Sequence, residues 1–425
     1  MDHFAYRDGQ LFCEEVAVGD LADEVGTPVF VYSQATVLHH YGRVVEAFAE
    51  LDPVICYSVK SCGNVHICRL LAEQGAGFDV VSGGELFRAL QAGADASRIT
   101  YAGVGKTDRE INEAIDAGIG LFAVESEAEL ANIARIARER RTPVNAALRI
   151  NPDVDPKTHR HTSTGKRETK FGVDLARARR AFEDLGRDDY MRLNSLHLHI
   201  GSPVNSVGPY VEAITKALAL IDELRGAGFE IEQIDIGGGF GADYHEDQAP
   251  LAVDYAEAIV PLLRDQGLRV VMEPGRSIIA NAGILVARTQ YTKASGDKAF
   301  VIVDAGMNDL LRPTLYEAYH FIWPVRPADG CVPTSREEGL KMPGTSLVDV
   351  VGPICETGDS LGLARHLPPV QRGDPLAIFT AGAYGFAMSS QYNSRCRAPE
   401  VLVTGGDYRI IRRRETYEDL IAAER

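Results

Sequence analysis

Short apolar runs alternate with segments of helical period through the first two thirds of the chain. The runs 53–59 (PVICYSV), 78–81 (FDVV), 98–102 (RITYA), 121–124 (LFAV), 144–150 (VNAALRI), 194–200 (NSLHLHI), 231–236 (IEQIDI) and 268–272 (LRVVM) have strand length and few charges. Between them lie stretches such as 125–140 (ESEAELANIARIARER), whose apolar residues recur three and four apart. Eight strands alternating with helices over about 240 residues predict a (β/α)8 barrel, with an open doubly wound sheet as the other arrangement of the same pattern. The stretch 151–175 is long and polar and reads as a surface insertion.

The texture changes after about residue 284. FVIVDAG (300–306), LVDVVGP (347–353), PLAIFTAG (375–382) and EVLVTGG (400–406) are β-rich with few helical segments between them, which predicts a second, mostly antiparallel β domain. LFCEEVAV (11–18) and PVFVYS (28–33) are strand-like and are expected to join it. The expected division is therefore 1–33 with the β domain, 34–283 as the barrel and 284–425 as the β domain. The terminal RRRETYEDLIAAER (412–425) reads as a short helix.

Composition narrows the function classes. The 425 residues are 45% hydrophobic and 24% charged, an ordinary globular balance with ample core material. A net charge of −16 argues against a nucleic-acid backbone or an anionic membrane surface as partner, though a local cluster of donors can still take a small anion. No apolar run has membrane-spanning length, and MDHFAYRDGQLFCEE lacks a basic region followed by an apolar stretch, so a soluble, cytoplasmic protein is expected. Seven cysteines spread over the chain do not suggest a disulfide scaffold. Cys56, Cys62 and Cys68, with His66 among them, do not have a usual zinc spacing, so buried thiols and no metal are expected.

In such a barrel the reactive groups sit at the C-terminal ends of strands. Those ends carry Lys60, Ser82, Arg149, His199 with Ser202, the glycine run 237–241 (GGGFG), and Glu273 with Arg276. Lys60 follows an apolar strand, where a low-dielectric wall would depress its pKa and favour Schiff-base chemistry; a solvated strand-end lysine is the alternative. GGGFG offers backbone N–H groups suited to a phosphate, or is simply a turn that has room for glycine alone; its place late in a barrel makes a dinucleotide fingerprint a poor reading. His197 and His199 share one strand face. His199 suits a flat imidazole facing a planar ring, whereas His197 reads as a core histidine. Glu273 and Arg276, separated by a Pro-Gly bend, can point at different parts of one ligand or pair with each other. In the β domain, Cys355-Glu356 in GPICETGDSLG and Tyr384 in GAYGFAMSSQYNSR lie between glycines, as in exposed, shaped loops; for Cys355 a buried structural thiol remains the alternative.

Taken in order, CYSVKSCGN, FDVVSGGE, LRINP, TKFG, HIGS, GGGFG, EPGR, RPTLYEAYH, CETGD and GAYG resemble the diaminopimelate decarboxylases nearly end to end. These are pyridoxal 5'-phosphate (PLP) enzymes of the fold group that includes ornithine decarboxylase and alanine racemase. The resemblance implies a barrel plus a β domain, and a head-to-tail homodimer with active sites at the interface. It implies that Lys60 holds PLP covalently, that His199 stacks on the ring, and that Ser202, Gly237, Gly238, Gly239 and the backbone at Gly275 and Arg276 bind the phosphate. Tyr384 would lie beside the cofactor and Glu273 would pair with the pyridine nitrogen. Arg276, Arg312 and Tyr316 would hold the substrate's distal carboxylate. Cys355 as proton donor and Glu356 as partner of the distal ammonium would come from the other subunit.

The residue types suit that chemistry. A carboxylate on the pyridine nitrogen keeps it protonated and makes the ring a strong electron sink, as decarboxylation requires; the racemases of this fold group use arginine there. Two guanidinium groups and a tyrosine suit a second carboxylate and would repel the ammonium of ornithine. Ornithine decarboxylases carry aspartate after the cysteine, where this chain has Glu356. A decarboxylase for another basic or D-configured amino acid is the alternative. Intact Lys60, His199, Glu273, Cys355 and Tyr384 argue against a non-catalytic regulatory homologue.

Overall fold

A computed structural model describes residues 2–155, 170–244 and 249–425. They fall into two compact units: 2–40, 242–244 and 277–425 in one, and 41–155, 170–241 and 249–276 in the other. The division lies at 40/41 and 276/277 rather than 33/34 and 283/284, because the helix Gln34–Ala47 straddles the first junction and 242–244 returns to the β unit.

Four strands precede the barrel: β1 (Phe4–Arg7), β2 (Gln10–Cys13), β3 (Val16–Ala17) and β4 (Val29–Ser33). The run LFCEEVAV is broken at Glu14, which adopts φ 52° between β2 and β3. Its carboxylate accepts bonds from the Ser33 hydroxyl and the backbone N–H groups of Ala35 and Gly405. That buried acceptor accounts for the break, and β1–β3 form a small sheet of their own, whereas β4 enters the main β sheet.

The barrel unit is built from β5 (Val54–Ser58), β6 (Gly77–Val80), β7 (Ile99–Tyr101), β8 (Leu121–Val124), β9 (Val144–Arg149), β10 (Met191–His197), β11 (Gln233–Asp235) and β12 (Arg269–Met272). All neighbours are parallel, and β12 pairs with β5, so the sheet closes and the open doubly wound alternative falls away. Such strands are covered on both faces, which is why they read as continuous apolar runs. The helices between them start at side-chain caps: Ser82, Thr107, Ser126 and Asp174 each accept a bond from the third helical N–H. Ser82, at the rim by sequence, is thus engaged in capping. Most of the 151–175 insertion, residues 156–169, lies outside the described residues.

The second unit continues with β13 (Gly283–Ser295), β14 (Lys298–Val303), β15 (Ile322–Pro324), β16 (Ser346–Val351), β17 (Ser360–Leu367), β18 (Pro375–Ile378), β19 (Glu400–Thr404) and β20 (Asp407–Arg412). The long β13 pairs antiparallel with β4, β14 and β18. β4–β19 and β14–β16 are parallel, so the sheet is mixed with an antiparallel majority. The chain closes on one helical turn, Tyr417–Leu420, and a 3-10 turn, Ala422–Glu424.

Candidate active site

Lys60 lies in the 3-10 turn Val59–Ser61 that leaves β5. Its Nζ donates to Asp79 Oδ2 at 2.6 Å, and the Ser58 hydroxyl donates to the same oxygen at 2.6 Å. Ser58 and Asp79 are register partners on β5 and β6, so the strand pairing itself brings the carboxylate to the lysine. Burial, with the Glu273 charge added, lifts the Asp79 carboxyl above its ordinary range, against the pull of Lys60 and Ser58.

Glu273 follows β12 directly and is buried. Its Oε2 lies 3.3 Å from His197 Nε2. Burial would raise this carboxyl, but His197, Lys60 and His199 outweigh it and hold the group ionised, below the ordinary range. Asp235, the register partner of His197, goes the other way: burial and the Glu273 charge push it well up, toward the neutral acid. Glu273 Oε1 has no hydrogen-bond partner among the described residues. His197 is buried, as a core histidine would be, yet its Nδ1 is also without a partner among the described residues, so it backs Glu273 rather than being fully satisfied. His197, Asp235 and Glu273 bring one ligand atom each within 4.8 Å of one another, a grouping of strand-end ligands that the spacing of the sequence does not reveal.

His199 accepts from the Gly238 backbone N–H at Nδ1, 3.3 Å, which leaves the hydrogen of the neutral ring on Nε2. Burial, then the charges of Arg149 and Lys60, depress its pKa well below the usual histidine range, so it is a neutral flat ring. Arg149 holds the His199 carbonyl at 3.1 Å while pairing with buried Glu125 at 2.6 Å. Arg276 Nε donates to the Ser202 hydroxyl at 3.1 Å, not to Glu273. A Cβ on Gly237, Gly238 or Gly239 would lie 2.1 Å from the carbonyl oxygens of Leu198, Glu273 and Gly201 respectively, and one on Gly275 would lie 2.8 Å from Ser58 Cβ. Sterics alone therefore demand glycine at these positions, and the β10, β11 and β12 ends can approach one another closely. Lys60, His199, Ser202, the glycines, Glu273 and Arg276 all belong to this one barrel end.

The remaining candidates lie in the other unit. Cys355 is exposed, not a buried structural thiol, and its N–H donates to Asn393 Oδ1 at 2.8 Å. Glu356 is exposed and accepts from the Tyr392 hydroxyl at 3.0 Å. Thr314, in the helix Arg312–Tyr316, donates to the Gly358 carbonyl at 2.9 Å and so ties that helix to the Cys355 loop. Arg312 is buried beside His320, and Tyr384 takes the left-handed φ of 54° in the loop after β18.

Residues 34–280 match the family model described as the pyridoxal-binding domain of the pyridoxal-dependent decarboxylases. The chain is 46% identical over 420 residues to the diaminopimelate decarboxylase of Aquifex aeolicus, covering 99% of this chain and 96% of that one. The chain belongs to the diaminopimelate decarboxylase family. The Pseudomonas aeruginosa member is 43% identical, covering 100% and 99% of the two chains. The solved structure of the Helicobacter pylori diaminopimelate decarboxylase complexed with L-lysine superposes with a TM-score of 0.90 at 38% identity, covering 96% of this chain and 99% of that one.

The barrel end of this diaminopimelate decarboxylase family member fits a pyridoxal cofactor by its own chemistry. An ionised, buried carboxylate oxygen without a partner among the described residues suits a protonated ring nitrogen, a neutral imidazole suits a ring face, and an amine stands at the end of β5. Sequence reasoning missed Asp79, Asp235 and, in the β unit, His320. A signal existed for the first two: each is a carboxylate inside an apolar run, and a carboxylate in a strand covered on both faces must find partners.

Proposed function

We propose that this chain removes CO2 from the D-centre of meso-2,6-diaminopimelate to give L-lysine, the last step of lysine biosynthesis, with PLP held on Lys60. The observation that carries the reading is the buried, ionised Glu273, with one carboxylate oxygen lacking a partner among the described residues, in the same barrel end as Lys60. Bound PLP supplies the electron sink that decarboxylation needs. Glu273 keeps a proton on the pyridine nitrogen. His199 would cover the ring face, and its neutral state would avoid a second cation beside a protonated ring nitrogen. Ser202, Gly237, Gly238, Gly239, Gly275 and the Arg276 backbone would hold the phosphate, and Tyr384 would lie beside the cofactor.

Arg276, Arg312 and Tyr316 take the distal carboxylate, and Glu356 takes the distal ammonium. The carbon that loses CO2 must gain a proton, and Cys355 donates it from its thiol. Cys355 and Glu356 serve the partner subunit's site in a homodimer, a role compatible with their exposure. The enzyme works in the cytoplasm; among the described residues no helix is long and apolar enough to cross a membrane.

The test has two arms. Borohydride reduction followed by peptide mapping is expected to leave the pyridoxyl group on Lys60, and label on another lysine would overturn that assignment. CO2 release measured side by side with meso-diaminopimelate, ornithine, lysine and arginine is expected to favour the first; a preference for any of the others would move the chain to a different substrate.

A further inference from the structure

A buried guanidinium must direct its donors at definite acceptors. Arg312 is 6% exposed, and its Nη1 lies 3.0 Å from Nε2 of His320. The other ring nitrogen of His320, Nδ1, lies 2.9 Å from the Phe379 carbonyl oxygen. A carbonyl oxygen accepts and never donates, so Nδ1 carries the hydrogen. A guanidinium donates and never accepts, so Nε2 presents its lone pair. Of the three forms of imidazole, the neutral Nδ1–H tautomer alone satisfies both contacts. A doubly protonated ring would set N–H against N–H.

The surroundings hold this arrangement in place. His320 is fully buried, and the Tyr244 ring meets it edge-on at 5.5 Å and 89°. The same Tyr244 ring carries the Arg312 guanidinium over its face at 4.4 Å. The chain makes this possible by reversing at Glu317, which takes φ 53° at the end of the helix Arg312–Tyr316, so that His320 returns beside the helix start. Both of these contacts to Arg312 are with neutral groups. They fix the direction of the guanidinium.

We propose that His320, as the Nδ1–H tautomer, is a positioning residue that aims Arg312 at the substrate's second carboxylate and so sets the preference for a substrate that has one. The inference rests on the role given to Arg312 above and adds the residue that makes that role selective.

The test compares His320→Leu, His320→Gln and Arg312→Ala in the PLP-loaded enzyme, with meso-diaminopimelate and with D-lysine, which lacks the distal carboxylate. His320→Leu is expected to raise KM for diaminopimelate by about tenfold or more, the size of a lost bond to a charged group, with kcat within about threefold and D-lysine kinetics little changed. His320→Gln, with one donor and one acceptor side by side, is expected to restore most of the loss. Equal losses on both substrates, or no recovery with glutamine, would overturn the proposal. Nitrogen-15 NMR of histidine-labelled wild-type protein gives a readout independent of folding of the variants: His320 should show a protonated Nδ1 and a bare Nε2, and the reverse tautomer would sink it. If Arg312→Ala itself treats the two substrates alike, the substrate reading fails; if it discriminates and His320→Leu does not, the positioning role alone fails.

Discussion

Glu273 works by remaining charged where burial favours neutrality. The His197 contact at 3.3 Å and the nearby lysine outweigh desolvation, whereas burial and the Glu273 charge push Asp235 toward the neutral form. Glu273→Gln preserves shape and removes the charge, so PLP should still bind, read from its absorbance, while decarboxylation falls by about a hundredfold or more. Near wild-type turnover with cofactor bound would show that the electron-sink argument does not apply here. Asp309, in the loop after β14, is a buried acid of the opposite kind. Its Oδ2 accepts the Gly306 N–H at 3.1 Å, Oδ1 has no partner among the described residues, and burial lifts its pKa to about 7. Below an unfolded-state pKa of about 4 both states bind the proton; between about 4 and 7 the native state alone does; above 7 neither does. The native state therefore loses stability as pH rises through that window, by at most about 4 kcal/mol. Asp309→Asn can still accept from Gly306 and cannot ionise. It should match wild type near pH 4 and be the more stable protein at pH 8, by denaturant titration; parallel pH profiles would exclude this origin.

Among the elements, the turn that leaves β11 is under a tight steric constraint. A methyl group on Gly238 would stand 2.1 Å from the Glu273 carbonyl oxygen, so Gly238→Ala must push the β12 end away from the β11 end. It is expected to cost about 1–3 kcal/mol of stability and to weaken PLP binding more than tenfold, because the carboxylate and the glycine backbone move together. Unchanged cofactor affinity by equilibrium dialysis would refute that coupling. The barrel elements were legible because parallel strands covered on both faces leave continuous apolar runs, and each of the eight runs lies within a few residues of an observed strand. Lys60, His199 and Glu273 were legible for a related reason, since a strand's end is where polarity begins. The partners of these groups were not. Asp79 reaches Lys60 because β5 and β6 pair with Ser58 opposite Asp79, and His320 reaches Arg312 because of one left-handed residue at Glu317. Register and a single backbone reversal are set by the folded chain as a whole. The same limit explains LFCEEVAV, whose strand character was visible but whose break at Glu14 depends on Ser33, Ala35 and Gly405.

For the whole molecule, the residues assigned to chemistry divide between the two units: Lys60, His199 and Glu273 in the barrel, Cys355, Glu356, Arg312 and Tyr384 in the β unit. In the proposed homodimer each site takes its lysine from one subunit and its cysteine from the other. That arrangement has an arithmetic consequence. Lys60→Ala and Cys355→Ala homodimers each lack one essential group in both sites. When the two proteins are mixed and exchange subunits freely, half of the dimers are mixed. Each mixed dimer has one site with both groups missing and one site with both intact, so activity should recover to about a quarter of wild type. A site assembled within one chain predicts no recovery at any mixing ratio, because every chain then carries its own defect. Differently tagged subunits, recovered together after mixing, establish that exchange has occurred. Full exchange without recovered CO2 release would reject the shared site and return Cys355 to the chain that carries it.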